Sequence, residues 1–441
     1  MLGRRVAVIG AGAAGLVAAR ELHREGHAVV VFERGGRIGG TWVYTPSTES
    51  DPLGRDPKRK IVHSSLYDSL RTNLPRECMG FFDYPFVAIP GRDIRRFPGH
   101  QEVLSYLEDF SREFDINELV RFWTEVVRVD VEDEGKLAVR SQKINGGDIS
   151  DETELYDAVV VCNGHYTEPR VAEIPGIRTW PGKQIHSHNY RIPEPFLDQV
   201  VVVIGSSASA ADISREIADF AKEVHIANRS ASAGTPMKLS MNNVWLHSMI
   251  ERTLADGIVL FKDGSQAKVD VIIHCTGYRY HFPFLNKDVI NVDDNRVGPL
   301  YKHVFPPSLA PSLSFIGLPW KIVPFPLCEL QSKWVASVLS GRIALPTSEE
   351  MMDDVNNFYS EMERTGWPKR YTHNIGEYQF EYDDWLASQC GYPLVEEWRK
   401  KMYEATWKNK FARPDAYRDE WDDDDLIVLA HEDFGNLLVP S

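Results

Sequence analysis

The chain has 441 residues, 43% hydrophobic and 26% charged, which suits two or three packed domains and excludes a disordered or fibrous protein. Its net charge of −15 disfavours a nucleic-acid or anionic-membrane partner, because phosphate surfaces select basic patches. Five scattered cysteines (Cys78, Cys162, Cys275, Cys328, Cys390) with no C-x-x-C spacing argue against a disulfide framework or zinc site, and fit a reducing compartment, the cytoplasm.

The N-terminal Met1-Leu2-Gly3-Arg4-Arg5 runs straight into a predicted strand, without the longer apolar region and small-residue cleavage site of a signal peptide, so none is expected. No apolar stretch approaches the roughly 18 residues of a membrane span, so a soluble protein is expected. The first strand, Val6-Ala7-Val8-Ile9, leads into Gly10-Ala11-Gly12-Ala13-Ala14-Gly15 and a helical pattern through Arg24. A second strand over 27–32 ends at Glu33.

A lone G-x-G-x-x-G is weak evidence. Here it follows a strand, opens a helix and precedes an acid after a second strand, and that context specifies a dinucleotide cradle. Gly10 permits the tight turn. Gly12 lets a pyrophosphate approach the backbone. Gly15 allows close helix–strand packing, and Ala13 and Ala14 lie on the first helical turn, where free N–H groups favour phosphate. Glu33 is placed to accept from ribose hydroxyls. Gly39-Gly40-Thr41-Trp42 follows. Flavoproteins with two dinucleotide folds carry a similar Gly-Gly-x-Trp, so Gly40, Thr41 and Trp42 point to FAD at this first site.

Residues 125–154 alternate in polarity and contain Asn145-Gly146-Gly147, which predicts a β-meander. The strand 157–161 ends in Cys162-Asn163-Gly164-His165. The layout of the first cradle then recurs. The strand 200–204 precedes Gly205-Ser206-Ser207-Ala208-Ser209-Ala210, a helix runs to about 222, and the strand 224–227 ends at Asn228-Arg229-Ser230. Gly205 keeps the first glycine, whereas Ser207 and Ala210 replace the other two. Ser207 is small enough to admit a pyrophosphate and can hydrogen-bond to it; Ser209 and Ala210 complete the expected contact set. An acid after the second strand would favour a free 2′-hydroxyl. Arg229 instead suits a 2′-phosphate, so NADPH is expected over NADH. The strand 269–273 ends in the turn Thr276-Gly277-Tyr278. After about 350, helices with loops are expected, and the acidic run Asp419, Glu420, Asp422, Asp423, Asp424 and Asp425 reads as a solvated face or tail.

Trp180-Pro181-Gly182-Lys183-Gln184-Ile185-His186-Ser187-His188-Asn189-Tyr190 resembles the F-x-G-x-x-x-H-x-x-x-[FY] signature of flavin-containing monooxygenases and related N-hydroxylases, with Trp180 in place of Phe. The resemblance spans nearly the whole chain. It includes Leu70-Arg71-Thr72-Asn73-Leu74-Pro75, the Thr276-Gly277-Tyr278 turn and Glu329-Leu330-Gln331-Ser332-Lys333-Trp334. Gly40-Thr41-Trp42-Val43-Tyr44-Thr45-Pro46 and Phe97-Pro98-Gly99-His100-Gln101-Glu102-Val103-Leu104 look most like the plant glucosinolate and S-alkenyl-cysteine S-oxygenases.

The resemblance implies an α/β fold with two Rossmann-like domains. The NADPH domain, 170–280, would be inserted into a FAD domain formed by 1–169 and 281–441, the latter ending in a helical segment. It implies an NADPH-dependent monooxygenase that moves one oxygen of O₂ through a C4a-hydroperoxyflavin to a soft nucleophile, a thioether sulfur, with an amine nitrogen as the alternative. By the same resemblance Thr72, Asn73 and Leu74 lie where flavin and nicotinamide meet, with the Asn73 amide assisting directly, and Gln331 belongs to a helix whose N-terminus faces the flavin. A Baeyer–Villiger oxygenase on the same scaffold stays open. A disulfide reductase would need a cysteine pair that the chain lacks. His186 and His188 have no carboxylate or cysteine cluster beside them, so no metal is expected. Substrate access is expected around 45–60 and 235–250.

Overall fold

In a computed structural model the chain divides into two compact units. The structure describes residues 3–132, 135–144, 150–231, 236–239, 241 and 243–438. The expected turn at 145–147, positions 235, 240 and 242 of the second expected access loop, and both chain ends (1–2 and 439–441) lie outside them.

The first unit comprises residues 1–43, 71–164 and 280–441. Its main sheet runs in the order Leu313–Phe315, Ala158–Val161, Arg5–Ile9, Ala28–Phe32, Val120–Arg121, and every pair is parallel. In the strand Arg5–Ile9, residues 6–9 are apolar because both faces are covered. Val6 and Val8 point into one core with the helices Ala13–Arg24 and Pro324–Leu339. Ala7 and Ile9 point into another core, roofed by the antiparallel meander Thr124–Val131, Leu137–Lys143 and Asp151–Tyr156. The expected meander is present.

The second unit comprises residues 44–70 and 165–279. Its sheet runs Met237–Lys238, Val244–His247, Glu223–Ala227, Val200–Ile204, Val271–His274, Lys183–His186, parallel except for the first strand. Val201 and Val203 pack on the helix Ala208–Ala218, while Val202 and Ile204 pack on the other side against Val259 and Phe261.

Residues 44–70 belong to the second unit and not to the first, as sequence boundaries at 169 and 280 implied. The cause is polar and invisible to hydrophobic periodicity. Arg191 is buried, and all five of its N–H donors go to carbonyls: Thr45, Ser47 and Ser64 of this segment, and His188 and Tyr190 of its own loop, at 2.7–3.1 Å. Glu49 is equally buried. It accepts from Arg59 Nε at 2.8 Å and lies 3.3 Å from His188 Nε2. Replacing the guanidinium strands those carbonyls, so Arg191→Met should destabilise the protein by at least about 3 kcal/mol in chemical denaturation. A loss under about 1 kcal/mol would show that the segment is held by other means.

Candidate functional site

The first cradle lies at the carboxyl ends of the strands Arg5–Ile9 and Ala28–Phe32, where open parallel sheets bind ligands. Gly10 has φ +104°, and a Cβ there would sit 2.6 Å from the Cys162 carbonyl oxygen. A Cβ on Gly15 would fall 1.8 Å from the Gly10 carbonyl oxygen. Those two glycines are demanded by the protein's own packing. Gly12 is different: a Cβ there would meet only the Gly40 backbone, at an ordinary 3.5 Å from Cα and 3.9 Å from N. Nothing in the protein requires glycine at 12, whereas a phosphate lying on that backbone does. Gly12 caps the helix Ala13–Arg24 with no side-chain bond, and no acid occupies the first turn that holds Ala13 and Ala14. The leading N–H groups of such a helix have no internal acceptor, and its positive end is unneutralised. These residues fit the pyrophosphate of FAD.

Glu33 is fixed from both sides. Its carboxylate accepts from Ala11 N at 2.9 Å and Gly35 N at 2.6 Å, which ties the ribose-side loop to the phosphate turn. Gly39 N donates to Ala11 O at 2.8 Å, so the short helix Gly40–Trp42, with Thr41 in its middle, begins against the cradle. Trp42 is half-buried and packs edge-on against Phe325 at 6.4 Å.

The Thr72–Asn73–Leu74 turn is in the same unit. Thr72 is buried: its N–H donates to Pro98 O at 2.9 Å and its hydroxyl to Leu74 O at 2.8 Å. Leu74 is buried in the core. Asn73 between them is exposed. The turn therefore presents one amide on a fixed backbone.

Gln331 lies in the middle of the helix Pro324–Leu339. It is fully buried, and both ends of its amide are used: Oε1 accepts from Gly317 N at 2.9 Å and Nε2 donates to Tyr382 Oη at 3.0 Å. Gly317 in turn stands against Ala14 and Cys328, within 3.6 Å of where its Cβ would be. Gln331 thus positions the loop that backs the cradle helix and offers no side-chain atom to a ligand. Its neighbours do the same work. Glu329 bonds Arg20 at 3.0 Å, and Lys333 bonds Glu21 at 3.2 Å and Glu329 at 3.0 Å, locking the cradle helix to Pro324–Leu339. Trp334 is core, packed on Tyr301, Phe305 and Trp385.

The second cradle repeats the glycine turn of the first. Gly205 has φ +123°, its Cβ would lie 2.5 Å from Cys275 O, and its N–H donates to Ala227 O at 3.0 Å, as Gly10 does to Phe32 O at 2.8 Å. Ser207 caps the helix Ala208–Ala218 with no side-chain bond and no acid in the first turn. The hydroxyls of Ser207 and Ser209 are exposed there, and Ala210 is buried. Asn228 occupies the place of Glu33. Its Oδ1 accepts from Ser206 Oγ at 3.1 Å and Ser230 N at 2.9 Å, which presents Arg229 exposed on the turn. A neutral amide with an adjacent guanidinium suits a 2′-phosphate; a carboxylate there would repel it.

Of the signature histidines, His186 is occupied by backbone, whereas His188 faces the Glu49 carboxylate at 3.3 Å, a carboxylate the sequence spacing did not show. His186 Nε2 donates to Gly277 O at 3.0 Å and its Nδ1 accepts from His188 N at 3.1 Å. His274 on the neighbouring strand donates from Nε2 to Gln184 Oε1 at 3.1 Å and accepts from Ala172 N at Nδ1. Both rings are fully buried and neutral, and no group of potential metal ligands occurs among the described residues. Burial, with the neighbouring histidines, pulls His186 down to about 3; burial, with Arg55, pulls His274 down to about 4.

Sequence patterning missed how the C-terminal acidic run is used. Asp423 is buried and bidentate with Arg96 at 2.6 and 2.8 Å, and Asp419 is bidentate with Arg71 at 2.8 and 3.0 Å. Five of the six acids are exposed, as a solvated face requires; Asp423 is the buried exception, and Asp419, Asp422 and Asp423 are ion-paired. The upstream partners, Arg71 and Arg96, are not connected to the run by any local window.

The family described as flavin-binding monooxygenase-like matches residues 3–250 and 233–392. The chain belongs to that family. It is 62% identical to the flavin-containing monooxygenase FMO GS-OX-like 2 of Arabidopsis thaliana, over 98% of this chain and 94% of that one. Among solved structures it matches the S-allyl-L-cysteine S-oxygenase of Allium sativum at 67% identity and TM-score 0.96, over 99% of both chains. It also matches Tmm of a Pelagibacter species at 30% identity and TM-score 0.79, over 94% and 93%. The protein is therefore an NADPH-dependent flavin monooxygenase with FAD and NADPH as cofactors. No described helix is long and apolar enough to cross a membrane.

The buried histidines give this flavin monooxygenase an acid limit. Unfolded imidazoles protonate near pH 6.5, whereas folded His186 and His274 stay neutral to about 3 and 4. The stability they contribute is fully present above pH 6.5 and is lost as pH falls toward 4. Each ring contributes a slope of roughly 1.4 kcal/mol per pH unit in that window. Thermal unfolding between about pH 7 and 5 should show the decline, with a shallower slope in His274→Gln; a flat profile contradicts it.

Proposed function

We propose that the enzyme oxygenates thioether sulfur, converting R–S–R′, O₂, NADPH and H⁺ to the sulfoxide, NADP⁺ and water. The single observation that carries this is 67% identity, over 99% of both chains, to an enzyme that oxygenates the sulfur of S-allyl-L-cysteine. The five unpaired cysteines support a reducing, cytoplasmic setting.

In this reading the N–H groups of Gly12, Ala13 and Ala14 hold the FAD pyrophosphate and Glu33 accepts from its ribose. The Gly40–Trp42 turn and the 72–74 turn bound the flavin. Ser207, Ser209 and the helix start at Ala208 hold the NADPH pyrophosphate, and Arg229 pairs with the 2′-phosphate. FAD held there would supply the redox chemistry between NADPH and O₂, with one oxygen atom going to sulfur and the other leaving as water. The protein's contribution is orientation, exclusion of water and one polar assistant. Asn73 is that assistant: its amide both donates and accepts, and its fixed turn costs no reorganisation when the substrate reacts.

Turnover of a thioether panel under ¹⁸O₂ should give sulfoxide carrying one labelled oxygen, with matched amines and ketones consuming far less NADPH. Preferential amine turnover would replace the sulfur reading by N-hydroxylation. Arg229→Ala should raise KM for NADPH by about 10- to 100-fold and leave KM for NADH near its starting value, as expected for losing one charge-assisted contact. An equal change with both nucleotides would remove Arg229 from the 2′-phosphate. Asn73→Ala should keep FAD but release most electrons as H₂O₂; full coupling in that variant refutes its role.

A further inference from the structure

The C-terminal segment 417–423 reaches back to the Asn73 turn, some 346 residues upstream. Arg418 Nε donates to Thr72 O at 2.9 Å, the carbonyl directly before Asn73. Arg418 Nη2 reaches Arg71 O at 3.5 Å. The contact is reciprocal: Arg71 donates from Nη2 to Arg418 O at 3.2 Å and grips Asp419 with two bonds at 2.8 and 3.0 Å. Arg71 Nε also donates to Phe97 O at 2.9 Å. The Phe97 ring is covered by Tyr417 at 5.7 Å and Trp421 at 6.5 Å, and Arg96 beside it is bidentate with buried Asp423.

These bonds close around one residue. Thr72 has its N–H on Pro98 O, its hydroxyl on Leu74 O and its carbonyl on Arg418. Leu74 is sunk in the core. Every polar group of Thr72 is thus committed, and of these three bonds that from Arg418 comes from the far C-terminal part of the chain. Packing of the segment on the surface would be served by the aromatic contacts with Phe97 and by the Arg96–Asp423 pair alone. It does not require a guanidinium aimed at the peptide plane next to the exposed amide.

We propose that Arg418, held in place by the Arg71–Asp419 pair, is a positioning residue that fixes the Thr72–Asn73 peptide plane and so governs how much of the O₂ consumed reaches sulfur. This rests on the assignment of Asn73 as the assisting amide. A tilted peptide plane would misplace an amide whose hydrogen bonds work only within a few tenths of an ångström. The cradle, the NADPH loop and the fold itself contain no part of the device.

The test compares four full-length holoenzymes with a thioether substrate: wild type, Asn73→Ala, Arg418→Met and Arg418→Lys. Each is assayed for FAD content, KM for NADPH, and H₂O₂ released per NADPH oxidised. Asp419→Asn, a change at a largely exposed carboxylate, is added as a variant with no folding risk. The expected result is that Arg418→Met keeps its FAD and its KM for NADPH while H₂O₂ per NADPH rises several-fold toward the Asn73→Ala value. Arg418→Lys, which can still donate to one carbonyl, should fall between, and Asp419→Asn should shift in the same direction by less. If Asn73→Ala uncouples while both Arg418→Met and Asp419→Asn couple as wild type does, the proposal is overturned and Asn73 stands. If Asn73→Ala itself stays coupled, the assignment of Asn73 falls first. Loss of FAD in Arg418→Met with normal coupling in Asp419→Asn would also overturn it, reducing the segment to a structural strap.

Discussion

The two cradles depend on two helix starts, each at the carboxyl end of a buried parallel strand, that no described side chain caps. At Gly12 and again at Ser207 a helix begins without a capping side chain and without an acid in its first turn. Backbone N–H groups at such a start have no internal acceptor and carry partial positive charge. Proteins ordinarily cap such ends, because leaving them open costs stability. Two uncapped starts, each at the carboxyl end of a buried parallel strand, are explained by two phosphate-bearing ligands. The sheets, the doubly covered apolar strands and the ion pairs from Glu329 and Lys333 to the first cradle helix all serve to hold those helix starts in place.

The two cradles differ where their ligands must differ. The first has three glycines and a carboxylate clamped by Ala11 and Gly35. The second keeps only the glycine that its own packing demands, Gly205 against Cys275. It replaces the carboxylate by Asn228 and displays Arg229. The contrast suits the proposed assignment of a ribose with free hydroxyls to the first cradle and one carrying a phosphate to the second. It also shows which glycines are structural and which are ligand-facing: Gly10, Gly15 and Gly205 could not carry a side chain in this fold, and Gly12 could.

Much of this was legible in the sequence because it is local. The strand Val200–Ile204 and the helix Ala13–Arg24 follow from runs of apolar residues and one turn motif. What was not legible is what joins distant residues through polar bonds. The assignment of 44–70 to the second unit depends on one buried guanidinium, Arg191, whose five acceptors are all carbonyls and leave no trace in side-chain patterning. Gln331 sits in a recognisable motif, yet its bonds to Gly317 and Tyr382 turn it from a contact residue into a support. The acidic C-terminal run looks like a tail because its partners, Arg71 and Arg96, lie more than 320 residues away.

The central claim is that two different nucleotides are held so that one reduces the other. Anaerobic titration of the purified enzyme with NADPH tests it most directly. The account predicts a yellow protein with one FAD per chain, whose flavin absorbance is bleached by one equivalent of NADPH and far more slowly by NADH. A colourless protein that takes up no FAD, or a yellow one that NADPH leaves unbleached, would contradict it.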